Sequence, residues 1–303
     1  MSLSAKELNM PIVDLLQMQQ HGSKHRYKIG LVSVATLSIA KGVIKSASEV
    51  DAPVVLVVDA DSSDLELLPS IEMLARRSVN PVAILAKGVH NSEQAVQAIR
   101  LGCNGLILKH DLPASEDNKI ISIATSCAIP VINKQALSET FIQIDKELEA
   151  ATLQTIRQLP DTWHKINKQV EQATIDFLVN LLNTIEASGK GQLALEECET
   201  CQPVEHLIIY NTNTDATETA ALAKKGRQVL DKIPGVRQTW SGYSVKADVG
   251  YQWCWLIRFA NRKVIDSYRE HPDHIAYADN YFRPFAADRI SIDYELVGAD
   301  EEK

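Results

Sequence analysis

The chain has 303 residues, enough for two domains with a core each. Apolar residues make up 45% and charged residues 23%, an ordinary globular balance that excludes a disordered chain or a disulfide scaffold. With 31 Lys and Arg against 39 Asp and Glu, the formal charge of −8 argues against nucleic acid or an anionic membrane as partner.

From residue 1 to 134, short β-branched runs alternate with helical stretches. Tyr27–Ala35, Pro53–Asp59, Pro81–Ala86, Gly105–Leu108 and Ile129–Asn133 predict strands. Several are continuous apolar runs, as expected of strands covered on both faces. Helices are expected near 11–22, 37–50, 65–79, 92–101 and 116–127. Repeated βα units with short connections predict a parallel sheet with right-handed crossovers. Five strands are too few for a closed eight-stranded barrel, so the fold class is α/β with a partial βα-barrel-like sheet.

Residues 135–190 read as an antiparallel helical hairpin. Leu137, Phe141, Ile144, Leu148 and Ala151 form one apolar stripe, and Trp163, Ile166, Val170, Ala173 and Phe177 form the next, after Pro160 and Asp161. Residues 191–203 read as a linker. Beyond it, Val204–Asn211, Val236–Lys246, Tyr251–Phe259 and Arg289–Val297 predict strands, and Ala216–Lys232, Arg262–Arg269 and Pro272–Phe285 predict helices. The order βαββαβ is that of an α+β, ferredoxin-like unit over 204–298. In its third strand, Tyr251, Trp253, Trp255, Ile257 and Phe259 share one face.

Met10–Leu16, Ile29–Val34 and Ala52–Val58, followed by Asn80–Leu85 and Ala95–Leu108, resemble the first βα units of class II fructose-bisphosphate aldolases. In that family the third strand ends in His-x-Asp-His-Gly, whose Asp is the acid/base and whose next His binds zinc. Here the stretch reads Leu85-Ala86-Lys87-Gly88-Val89, with Lys87 at the acid/base position and Gly88 at the ligand position. Glycine offers no ligand atom, and zinc needs three or four from protein. The expectation is therefore no metal and no other cofactor. Elemental analysis should find no stoichiometric zinc, and fructose 1,6-bisphosphate should not be cleaved.

Residues 204–298 resemble a stress-responsive dimeric A/B-barrel domain through Glu205-His206-Leu207-Ile208, Ile233-Pro234-Gly235-Val236, Gly250-Tyr251, His271-Pro272-Asp273-His274 and Ile292-Asp293-Tyr294. The resemblance implies a homodimer in which two four-stranded sheets pair into one barrel, burying the aromatic face that carries Trp253 and Trp255. It is also similar to the olivetolic acid cyclases of plants. That likeness implies a catalytic pair at Tyr268 and His274, with His206 on the first strand, while a further pocket histidine is replaced by Trp253. A neutral His274, oriented by the Tyr268 hydroxyl, would take a proton next to a ketone. The local reading of the same residues is a helix start at Pro272, with His271 before it and His274 bonded locally.

At the strand ends of the N-terminal part stand Asp59, Lys87, His90 and Lys109-His110-Asp111. Lys87 and Lys109 could serve as Schiff-base lysines. Alternatively these groups are rim ion pairs of little consequence. Cys198 and Cys201 form a single C-x-x-C that reads as free linker thiols, and His21, Lys24, His25 and Arg26 form a basic turn, solvated or touching a phosphate.

Two functions stand open. One is a cytoplasmic interaction or scaffold protein, a metal-free aldolase-like domain held as a homodimer through 204–298, with no nucleic-acid or membrane partner. The other is a carbon–carbon lyase or cyclase acting on a small carbonyl compound through Tyr268 and His274, or through Lys87 and Lys109.

Overall fold

The computed structural model describes residues 12–60, 63–132, 140–144, 163–286 and 288–296. The chain divides into two compact units, one of Met1–Ile121, Ile129–Cys201 and Gly298–Lys303, the other of Ser122–Ala128 and Gln202–Val297.

The first unit runs α1 (Leu15–Lys24), β1 (Ile29–Ser33), α2 (Leu37–Glu49), β2 (Val54–Asp59), α3 (Leu68–Ala75), β3 (Val82–Val89), α4 (Ser92–Leu101), β4 (Gly105–Leu108), α5 (Ala114–Ser126), β5 (Phe141–Ile144), α6 (Trp163–Thr184) and α7 (Gly191–Glu197). Its strands pair in parallel in the order β4-β3-β2-β1-β5, a half-barrel sheet. Residues Val54–Val58 and Val82–Ala86 are buried, as continuous apolar runs require of a sheet covered on both faces. Side chains cap α1, α2 and α4 at their starts: Asp14 accepts from the Gln17 amide at 3.0 Å, Thr36 from Ile39 at 3.3 Å and Asn91 from Gln94 at 2.8 Å.

Three expectations need correction. Phe141–Ile144 is a strand and not part of a helical hairpin; it pairs with Ile29–Val32, whose outer backbone groups need partners. Its companions Leu137, Leu148 and Ala151 lie outside the described residues. The stretch at Ile129–Asn133 yields only a bridge from Val131 to Leu106, with Asn133 outside the described residues. The supposed linker 191–203 contains α7, which is tied back to the start of the chain: the Asp14 amide donates to the Glu199 carbonyl at 2.8 Å, and Cys201 donates to Ile12 at 2.6 Å.

Helix α6 packs on α2. Val170, Thr174, Leu178 and Leu182 form its buried row, while Ala173 and Phe177 are only half-buried at its edge. The approach is close at Gly42, where a Cβ would lie 2.6 Å from Thr174 Cβ and 2.8 Å from the Glu171 carbonyl oxygen. Backbone oxygen cannot step aside. Gly42→Ala should therefore lose about 1–3 kcal/mol to overpacking, more than the ~1 kcal/mol that alanine adds in helix propensity, and chemical denaturation reads the difference.

At the end of β3 the pairing with β4 shifts register between Lys87 and Val89, and Gly88 between them has φ +84°. The bulge needs a residue that accepts left-handed backbone.

The second unit contains β6 (Val204–Asn211), α8 (Ala216–Leu230), β7 (Val236–Tyr243), β8 (Trp253–Phe259), α9 (Val264–Glu270), α10 (Pro272–Tyr277) and β9 (Asp288–Glu295). The sheet is antiparallel, ordered β7-β8-β6-β9, the ferredoxin-like arrangement. Register separates its two faces. His206, Ile208 and Tyr210 share one face with Trp255, Ile257 and Phe259, against which the helices lie. The Trp255 ring meets Tyr277 of α10 at 6.4 Å, and Phe259 meets Tyr268 of α9 at 4.8 Å. Leu207, Ile209, Leu256, Ile290, Ile292 and Tyr294 share the opposite face. Ile290, Ile292 and Tyr294 remain 41%, 41% and 43% exposed.

This corrects the expected role of the aromatic face. Trp255, at 2% exposure, is covered by the unit's own helices, and the apolar face left in solvent is the other one. Period-two patterning sorts the residues of such a strand onto two faces, but only the helices' position shows which face they cover.

Candidate functional site

The site grows from the short step between α9 and α10. His271 begins α10, its Nδ1 accepting from the Asp273 amide at 3.2 Å, and Pro272 occupies the first turn. Two residues after Pro272, His274 turns back toward α9, and its Nδ1 lies 3.0 Å from the Arg269 carbonyl oxygen. A carbonyl only accepts, so Nδ1 carries the proton and Nε2 is the basic nitrogen. Burial, the largest influence, holds the His274 pKa below its ordinary 6.5 against the opposing pull of that hydrogen bond. The imidazole is neutral at pH 7.

Tyr268 is 4% exposed, and its ring lies 4.4 Å from that of His274, tilted by 39°. Burial pushes its pKa far above that of a free phenol, so the hydroxyl stays protonated and acts as a donor, never as a base. What orients His274 is the Arg269 carbonyl, a main-chain group, rather than the expected Tyr268 hydroxyl. His206 completes the group: its ring is 6.4 Å from Tyr268, and its Nδ1 lies 2.7 Å from Asp293 Oδ1 on β9.

Tyr268 and His274 line a cavity of about 30 Å³ with Ile208, Leu230, Trp255, Ile257, Tyr277 and Phe282 among its walls. Such a volume holds about one water molecule. Trp253 is not among these walls; its ring packs edge-on to Tyr243 at 6.2 Å.

The two lysines belong to the first unit. Lys87 is half-buried and stands beside Asp59 in the register of β2 and β3, whereas Lys109 is exposed. Lys109 thus lies outside any apolar pocket of the kind in which Schiff-base lysines are activated. Cys198 is buried at the end of α7, and burial pushes its thiol up to about 11, so it is not a reactive thiolate.

A pH effect on stability follows from His274. Between its lowered native pKa and 6.5, the unfolded chain binds the proton more readily, so stability rises with pH. The contribution is complete above 6.5 and is lost as pH falls through the native value. Melting temperatures recorded between pH 7.5 and 5 should show this decline, and His274→Gln should flatten it.

A half-barrel of parallel βα units joined to an antiparallel ferredoxin-like unit defines a two-part chain. Residues 204–296 match the model of the Stress responsive A/B Barrel Domain. Among solved structures, the YdjI aldolase of Escherichia coli K12 is 13% identical, with TM-score 0.52 over 59% of this chain and 99% of that one. A putative fructose-1,6-bisphosphate aldolase of Coccidioides immitis is 10% identical, with TM-score 0.52 over 59% and 98%. These likenesses show the aldolase fold for the N-terminal part. A Dabb-family protein of Mesorhizobium loti, described as ferredoxin-like, is 20% identical, with TM-score 0.30 over 32% and 99%. No curated protein matches the chain. Among the described residues, no helix is long and apolar enough to cross a membrane.

Proposed function

We propose that the chain is a homodimeric lyase or cyclase of the aldol type, working by acid–base chemistry at His274 and Tyr268. The observation that carries this reading is His274 itself. A main-chain carbonyl fixes its tautomer, burial keeps it neutral, and a protonated phenol lies against it in an apolar pocket. Titratable groups perturbed by burial and by a specific partner are candidates for a reaction site.

The chemistry balances without an external reagent. His274 Nε2 takes a proton from the carbon next to a carbonyl, and the electron pair moves onto the carbonyl oxygen, which Tyr268 supports by donating its hydroxyl. The enolate carbon then bonds to a second carbonyl carbon of the same molecule. The new alkoxide recovers the proton from His274. His206, held by Asp293, packs against Tyr268 and positions the phenol.

The first step can be tested without knowing the natural substrate. The full chain should speed deuterium exchange at carbons next to the carbonyls of simple methyl ketones and 1,3-diketones, followed by proton NMR. Exchange no faster than in buffer across the panel would sink the reading.

One observation favours a second reading, that of a scaffold without turnover: the cavity is filled to within about 30 Å³. In either case the open face of Leu207, Ile209, Ile290 and Ile292 supports pairing with a second copy, since apolar surface of this kind is seldom left in water. None of the cysteines Cys103, Cys127, Cys198, Cys201 and Cys254 is in a disulfide, which suits a reducing, cytoplasmic setting.

A further inference from the structure

Helix α1 and helix α7 meet around a group of side chains that the reading above does not use. Helix α1 closes at His25, and Arg26 follows with φ +55°, so that the chain folds back and Tyr27 comes beneath the helix. His21 and His25, one turn apart, stand on the same side of α1, with rings 4.3 Å apart. From α7, Glu197 reaches between them. Its Oε2 lies 3.1 Å from His25 Nε2 and 3.8 Å from His21 Nε2. The backbone bonds that tie Glu199 and Cys201 to Asp14 and Ile12 hold the two helices in this relation.

His21 is only 3% exposed, and its Nδ1 bonds to the Tyr27 hydroxyl at 2.8 Å. Its Nε2 is buried and has no hydrogen-bond partner among the described residues. A buried imidazole nitrogen without a partner costs stability unless something fills the place in front of it.

We propose that His21, His25 and Glu197 bind one divalent transition-metal ion of the zinc class. Donor atoms at ~2.0–2.2 Å from a tetrahedral zinc lie about 3.4 Å from one another. The three ligand atoms here all fall within 4.8 Å of each other, so small side-chain rotations close the site. Two imidazoles and a carboxylate form a donor set that zinc accepts, with the fourth position left to water. With a metal on Nε2, His21 Nδ1 carries the proton and the Tyr27 oxygen accepts it, which fixes the ring. A solvent-open cleft of about 470 Å³, lined also by Gln17, Gln20 and Glu199, supplies the entry path. In the metal-free chain Lys24 neutralises Glu197 at 2.6 Å; its side chain is 63% exposed and can swing away. An anion such as phosphate would meet the Glu197 carboxylate head-on, which decides between the two occupants of this basic turn. The site departs from the metal-free chain expected from Lys87 and Gly88, because its donors lie on helices rather than at strand ends. It is independent of the acid–base reading of His274.

The test uses the full chain, stripped with a chelator and titrated with Zn²⁺ by calorimetry. We expect saturation at one zinc per chain and a higher melting temperature with metal. His25→Ala and Glu197→Gln, both outside the core, should weaken binding at least about a hundredfold, and Tyr27→Phe by about tenfold or more. Lys24→Ala should bind zinc no more weakly than the native chain, whereas a phosphate site would be weakened by it. X-ray absorption of the zinc-loaded native protein needs no variant and should show only nitrogen and oxygen neighbours. A sulfur neighbour at about 2.3 Å would assign the metal to Cys198 and Cys201 and overturn the proposal. So would unchanged binding in His25→Ala and Glu197→Gln, or no saturable binding at all.

Discussion

His274→Ala should lower turnover of a carbonyl substrate by about 10²–10⁴, the usual worth of one positioned acid–base group. The fold of the second unit should survive, because His274 is half-buried and its imidazole bonds to the Arg269 carbonyl rather than to a core side chain. Tyr268→Phe should cost less, since the ring that packs on Phe259 is kept and only the donor is lost. A steady-state assay on each variant separates these effects. Lys87→Ala should change little. If borohydride instead traps a substrate adduct on Lys87 or Lys109 while His274→Ala stays fully active, the reaction belongs to the other unit.

The second large effect concerns assembly. Leu207 and Ile292 are partners in register on the open face of the C-terminal sheet. Replacing both with aspartate places two charges where a second sheet would pack. At about 2 kcal/mol for each central apolar contact, the pair should weaken a dimer by about a thousandfold. Sedimentation of the full chain at micromolar concentration should then shift from dimer to monomer. Trp253→Ala should leave the dimer intact, because Trp253 shares the helix-covered face with Tyr210. Dissociation by Trp253→Ala but not by the aspartate pair would restore the aromatic face as the interface.

The parts of the fold legible in the sequence were those whose pattern admits one reading. Val54–Val58 and Val82–Ala86 are uninterrupted apolar runs between turns, and they are buried central strands. Phe141–Ile144 misled because Phe141 and Ile144 fit a helical spacing, while Phe141, Ile142 and Ile144, β-branched or aromatic, fit a strand equally well; only the unpaired edge of β1 decides. Gly191–Glu197 read as linker because glycine and lysine precede it, although its pairing with α1 makes it a fixed element. The residues Tyr268, His274 and His206 came from resemblance, and the structure places them together. The Arg269 carbonyl carries no sequence signal, because every residue has one. The trio of His21, His25 and Glu197 was half visible: the histidines stood out as a basic turn, but 172 positions separate His25 from Glu197.

Gly88 has a consequence for how this chain could change. A side chain installed there meets left-handed backbone at φ +84°, a cost of about 1 kcal/mol or more before any gain. Relieving it means removing the bulge, which moves Lys87 and Val89 by a step relative to β4. The two changes are therefore coupled: a side chain at position 88 carries this cost for as long as the bulge remains. A laboratory evolution experiment that seeks aldolase chemistry in this unit would have to vary residues 87–89 as a block.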